Sequence, residues 1–255
     1  MVKSAKPPES NAKTALRVIE IIETFAKEQR PLSMTQIARE LSAPVSSCQT
    51  LLKTLINLGY IYETGAGHVY YPTGRLQTMV DLISRCDPVL ENILGNLREL
   101  NHSTNETILL AKLNPDRQLV ILHIIESTSP IRYSTQPGTQ IQPHANSAGH
   151  ALLSTLDAGE RRRLLTGRAL IRYNKHTMTN PAEIEHCIQQ SLIRGWFSGA
   201  NDSGQGIGTI SWPVRIAETD YSLTVGGPLD RIIENEANYA QELRFACANI
   251  EQSFK

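Results

Sequence analysis

Drawn as one helix, residues 45–58 sort their side chains by chemistry. Ser46, Ser47, Gln49, Thr50, Lys53 and Thr54 face one way; Cys48, Leu51, Leu52, Leu55 and Leu58 face the other. Short hydroxyls, an amide and one lysine are groups that bond phosphates and base edges in a DNA major groove. Thr35, at the start of the preceding segment, and His68, in a following turn, complete the expected DNA-contacting set. The elements that must position this face are legible around it. Ser33-Met34-Thr35-Gln36 has capping-box spacing, with Ser33 able to satisfy a free amide and Gln36 able to reach back. Ile37, Ala38 and Leu41 follow at helical spacing, Ser42-Ala43-Pro44 breaks the pattern, and proline suits the start of the next helix.

An earlier helix is expected to bury Ala15, Val18, Ile19, Ile22, Phe25 and Ala26. After the reading face, Gly59-Tyr60-Ile61-Tyr62-Glu63 and Val69-Tyr70-Tyr71 favour strands, with a Thr64–His68 turn of hairpin size between them. Helix, helix, turn, helix, hairpin is the order of a winged helix-turn-helix.

Nothing comparable marks catalysis. His144 and His150 lie six apart with no acidic partner at metal spacing, and Ser147-Ala148-Gly149 lacks the glycine flanks of a nucleophile elbow. Gly204, Gly206 and Gly208 have the wrong spacing for a phosphate loop and read as a mobile loop beside a pocket. Arg161-Arg162-Arg163 reads as a solvated helix face. No catalytic residue, metal site or cofactor is expected.

The 255 residues suit two domains. Net charge is +0, but residues 1–75 hold nine Lys/Arg against six Asp/Glu, and the remainder 16 against 19. A mildly basic head on a mildly acidic body fits a nucleic-acid module joined to something else. No apolar run approaches the roughly 18–20 residues of a membrane span. Four scattered cysteines, Cys48, Cys86, Cys187 and Cys247, favour a reducing cytoplasm over disulfides. Cys48 reads as a small buried helix residue.

The expected organisation is a disordered tail at 1–11, a winged helix-turn-helix at 12–73, a linker helix at 74–87, and an effector-binding, oligomerising domain at 88–255. In the last, a helix with Leu90, Ile93, Leu94, Leu97 and Leu100 precedes strands at 106–112 and 118–126. A third strand is expected at Ile131–Ser134, helices near 147–156 and 181–194, strands near 207–215 and 221–226, and a final helix over 234–253. That order implies an α+β domain with a mainly antiparallel sheet.

In this order the pieces resemble the isocitrate-lyase-regulator (IclR) type of transcriptional regulator over residues 12–254. The resemblance rests on Ala15–Glu20, Met34–Leu41, Leu51–Leu55 and Leu58-Gly59-Tyr60 in the head. In the body it rests on Gly138 with Pro143-His144-Ala145 and Gly149, Arg194-Gly195-Trp196, Gly206 with Ile210 and Pro213-Val214, and Gly227-Pro228. It implies a GAF-like effector domain, a homodimer or homotetramer, and an operator affinity that changes when a metabolite binds.

Ser147, Ala148, Gly199, Thr209, Thr224 and Gly226 match the family's effector-contacting places. This chain departs at Gly199, where the family often has an acid, at Thr209 (cysteine) and at Gly226 (serine). The departures imply a roomier, less polar pocket, with Trp196, Phe197 and Trp212 adding aromatic surface. An aromatic or hydroxylated-ring effector is therefore expected, with a small carboxylate as runner-up, held by amides around Ser147 and Ala148. The family also places basic residues at Val45 and Thr50, so base readout here leans on Gln49, Ser46, Ser47 and Lys53. The expected function is a repressor of a catabolic operon acting on double-stranded operator DNA. The alternatives are a small-molecule enzyme with a dimerising head, and an activator or DNA-binder without an effector.

Overall fold

The computed structural model describes residues 10–65, 68–84, 88–202 and 204–254. The chain divides into two compact units, Met1–Asp87 and Pro88–Lys255.

In the first unit, helix α1 (Ser10–Glu28) leads through strand β1 (Leu32–Ser33) to α2 (Met34–Glu40) and α3 (Val45–Asn57). Strands β2 (Ile61–Thr64) and β3 (Val69–Pro72) form the hairpin, and α4 (Arg75–Ser84) follows. The expected tail at 1–11 falls mostly outside the described residues, and its last two, Ser10 and Asn11, belong to α1. The capping box is present. Ser33 Oγ accepts from the Gln36 amide, and Gln36 Oε1 accepts from the Ser33 amide at 2.8 Å. β3 pairs with both β1 and β2, so the wing is a three-stranded sheet.

Ile21, Phe25, Leu32, Ile37, Leu52, Leu55, Ile61 and Tyr70 form the core of this unit. Each of the aliphatic residues contributes about 1.5–3 kcal/mol by leaving water. The buried face of α1 is in part the expected one: Phe25 is buried and Val18 packs on the core, but Ile21 and Thr24 are buried too, while Ala15, Ile19 and Ala26 are exposed. Apolar residues fall on both sides of α1, so spacing alone left its phase open. Leu58, expected inside, is also exposed. It lies beyond the last turn of α3, where Gly59 turns the chain in a left-handed conformation (φ +75°). The Arg75 guanidinium donates to the Leu58 carbonyl at 2.6 Å and covers the Tyr60 ring, so the start of α4 is tied to the end of α3.

The second unit begins with α5 (Pro88–Thr104), β4 (Thr107–Leu113), β5 (Leu119–Ile125) and β6 (Gln140–Ile141). A 3-10 turn (Pro143–Ala145) introduces α6 (Ser147–Ser154), α7 (Ala158–Thr166) and α8 (Pro181–Arg194). Strands β7 (Phe197–Ala200), β8 (Ile207–Ile216) and β9 (Thr219–Pro228) precede α9 (Leu229–Glu234) and α10 (Glu236–Gln252).

The sheet runs β6-β5-β4-β9-β8-β7, antiparallel throughout. Alternation along β4 feeds two layers. Ile108 and Leu110 join the cluster containing Leu97, Leu243 and Cys247 of α5 and α10. Leu109 and Ala111 turn the other way, toward Leu152 of α6.

One expected strand does not form. Residues 131–134 are not a strand, because the Tyr133 carbonyl accepts from the Thr107 side chain at 2.6 Å instead of from a neighbouring strand. The short β7 was not anticipated. The final helix stands where expected, as α10, and the short α9 before it was not anticipated; it ends at Asn235, whose side chain donates back to the Arg231 carbonyl at 2.9 Å.

Candidate functional site

Two places in the molecule gather the expected site residues. On the first unit, Cys48, Leu52 and Leu55 anchor α3 from behind. Ser46, Gln49, Thr50 and Lys53 are exposed and Ser47 half-buried on its outer side, and Thr35 is exposed at the first turn of α2. The Thr50 hydroxyl turns back to the Ser46 carbonyl at 3.2 Å, which leaves Gln49 and Lys53 as the longer groups free of the helix backbone. His68 stands at the hairpin turn with a positive φ of 46° and bonds Glu63. Burial raises the Cys48 thiol above its ordinary pKa, which suits a packing residue and not a reactive one.

On the second unit, Asn146 caps α6, its side chain accepting from the Gly149 amide at 2.8 Å. Gly149 is required there, because a Cβ would fall 2.0 Å from the Pro143 carbonyl oxygen. The cap delivers Ser147 into the sheet. Ser147 Oγ bonds Thr209 Oγ1 at 2.7 Å and Ser211 Oγ at 2.8 Å, and Ser211 Oγ bonds Thr224 Oγ1 at 2.8 Å. All four hydroxyls are buried. Their three mutual bonds use three of four protons, so one remains to be aimed outward.

Beside this row lies a small cavity lined by Leu109, Ala111, Leu119, Ile121 and Ile141, with Tyr133, Asn146, Ser147, Ala148, Thr209 and Thr224. The cavity's volume is about 20 Å³, room for a water or so and not for a ring.

Of the six places expected to meet an effector, Ser147, Ala148, Thr209 and Thr224 line this cavity. Gly199 and Gly226 flank it, each paired with Thr209 across the sheet. The expected extra room at the glycines is absent. The place of a side chain at Gly199 is filled by the Asp202 carboxylate, 2.0 Å from where a Cβ would sit. The place above Gly226 is filled by the Tyr133 ring, 2.8 Å from its Cβ position.

The expected aromatic surface is also elsewhere. Phe197 packs on Trp212 within the core, Arg244 covers Trp212, and Trp196 donates to Glu236 at 2.8 Å. Asp202, Tyr133, Asn146 and Ser211 were not singled out from sequence. Asn146 carried a usable signal, an Asx residue before a helix; Ser211 alternates with Thr209 on one strand.

Behind α6, His150 Nε2 bonds the His144 carbonyl at 2.8 Å and Nδ1 faces the Cys187 thiol. Burial pulls the His150 pKa down to about 4 and lowers that of His144 as well, so both rings are neutral at pH 7. Among the described residues no group of three His, Cys, Asp or Glu could hold a metal, and no helix is long and apolar enough to cross a membrane.

An N-terminal winged helix-turn-helix joined to a mixed α+β domain defines a class of DNA-binding regulator. Family models place the chain within it. Residues 14–65 match the IclR helix-turn-helix domain and residues 81–252 match the bacterial transcriptional regulator IclR C-terminal domain. The chain belongs to the IclR family of DNA-binding transcriptional regulators.

It is 23% identical to the acetate operon repressor of Salmonella typhimurium, over 90% of this chain and 85% of that one. The Thermotoga maritima IclR structure superposes with a TM-score of 0.80 at 18% identity, covering 95% of this chain and 98% of that one. An IclR homologue from Microbacterium hydrocarbonoxydans, solved with 4-hydroxybenzoate, superposes with a TM-score of 0.75 at 19% identity, covering 94% and 98%.

Proposed function

We propose that the protein is a ligand-responsive repressor of a catabolic operon, acting in the cytoplasm as a homodimer or homotetramer. One observation carries the ligand-responsive part: a buried row of four hydroxyls beside an apolar-walled cavity, in the unit that does not hold the reading helix. A few placed polar groups on an apolar wall are the usual makings of a small-molecule site. Ser147, Ala148, Thr209 and Thr224 are its contacts, with Gly199 and Gly226 on its flanks. Ser46, Ser47, Gln49, Thr50 and Lys53, with Thr35 and His68, contact the operator.

The effector is a hydroxylated or aromatic ring. The relative solved with 4-hydroxybenzoate supports a guest of that size. A ring cannot enter the present 20 Å³ without displacing Tyr133. Binding therefore selects a rearranged state, and a ligand shifts the operator equilibrium only by its preference for that state.

Titrating the protein bound to DNA from upstream of its own gene with ring compounds and small acids, read by fluorescence anisotropy, tests this. Release by one ligand class is expected. Tight DNA binding that no member of either class alters would refute the ligand-responsive part.

A further inference from the structure

Asp202 stands beside the hydroxyl row, at the start of the helix whose first residues line the cavity. The amide of Ser147, the first residue of α6, donates to Asp202 Oδ2 at 3.1 Å. A Cβ on Gly199 would lie 2.0 Å from that same oxygen and 2.6 Å from Thr209 Oγ1, so the carboxylate and the hydroxyl row meet around one point. Asn201 and Asp202 are held in place. Asn174 Nδ2 donates to the carbonyls of Asn201 and Asp202 at 3.0 and 3.1 Å, and Asn201 Oδ1 accepts from the Gly206 amide at 2.7 Å. Gly199 leaves the space, and Asp202 fills it.

We infer that Asp202 determines the specificity of this cavity: its carboxylate occupies the place and the donor that a ligand carboxylate would need. The cavity therefore takes neutral rings bearing a hydroxyl or amide and turns away carboxylates. This rests on reading the cavity as the effector site. An incoming acid would find the Ser147 amide engaged and a like charge a few ångströms away in a partly buried setting, where repulsion is weakly screened. A hydroxyl or amide N–H instead meets an acceptor, because an ionised carboxylate accepts several hydrogen bonds.

The test is isothermal titration of the full-length protein with two probes that differ only at the acid, 4-hydroxybenzoate and 4-hydroxybenzamide. The wild type should bind the amide at least tenfold more tightly than the acid. Asp202→Ala, which empties the position, should shift that ratio toward the acid by about a hundredfold. Asp202→Asn, which keeps size and loop contacts, should shift it in the same direction. Gly199→Ala, whose methyl group needs the carboxylate's place, should shift it the same way.

A wild-type protein that binds the acid as well as the amide, or a ratio unmoved in Asp202→Asn, would overturn the specificity assignment and leave the cavity as a ligand site. Failure of both probes to bind wild type and every variant would overturn the cavity's role, and this inference with it.

Discussion

Arg231 and Glu106 meet side-on, Nε to Oε1 at 2.7 Å and Nη2 to Oε2 at 2.8 Å, with Glu106 only 1% exposed. The same Arg231 Nη2 donates to the Ile131 carbonyl at 3.1 Å, so the pair also pins the segment that carries Tyr133 over Gly226. Arg231→Ala leaves a buried carboxylate without its cation, a loss of about 3 kcal/mol. Trp196 and Trp212, the chain's two tryptophans, both lie in this unit, so fluorescence-detected denaturation reads the change directly. A shift below about 1 kcal/mol would show that the pair is solvated in solution.

Gln49→Ala should remove a base-edge contact, cost roughly 1–3 kcal/mol of operator affinity, and blur the preference at one base pair. Lys53→Ala should weaken binding to every sequence and reduce the salt slope by about one unit. Selection from randomised operators separates the two, and unaltered selectivity in Gln49→Ala would move the reading face elsewhere.

Val80, Leu82 and Ile83 on α4 are more than half exposed, and Met79 is 38% exposed. Apolar side chains gathered on one short helix point to a partner surface, and a second copy would pair two reading helices. Val80→Glu combined with Leu82→Glu should lower the oligomer measured by light scattering and raise the operator Kd. A monomer in the wild type at micromolar concentration would dispose of the assembly itself.

His150 gives the effector unit an acid limit. Its pKa is about 4 when folded and near 6.5 when unfolded, so below pH 6.5 the unfolded chain binds more protons. Stability is complete above pH 6.5 and falls as pH drops toward 4, by on the order of 3 kcal/mol from this ring alone. Denaturation midpoints at pH 7.5, 6 and 4.5 should decline in that order. His150→Gln, whatever its stability at neutral pH, should flatten the decline.

Tyr133→Ala should enlarge the cavity and admit bulkier ligands, because the ring holds the space above Gly226. Gly226→Leu should evict the same ring and block the cavity while operator binding without ligand persists. Competition binding with ligands of graded size distinguishes a movable filler from a fixed wall.

The head was legible because local chemistry decides it. Ser33 and Gln36 can cap only a helix start, and the hydrophobic residues of α3 leave one polar side. The body was legible as element order, and Ser147, Ala148, Thr209 and Thr224 do converge on one cavity. What sequence reading missed were contacts set by the fold alone. Residues 147 and 202 are 55 apart, and no periodicity announces that a loop aspartate will reach a helix amide. The Tyr133 ring reached Gly226 because Thr107 and Arg231 hold an extended segment that its β-rich composition had marked as a strand. Reading glycine as empty space failed for one reason: packed interiors refill the space from residues distant in sequence.

Gly199 and Asp202 also bear on how such a pocket changes over generations. A side chain at 199 and the carboxylate of 202 compete for one volume, so neither position mutates independently. A lineage gaining a residue at 199 must shorten or redirect 202, before or soon after. Sequences descended from a common ancestor with this chain should therefore show the two positions changing together, with a large residue at both the rarest pairing.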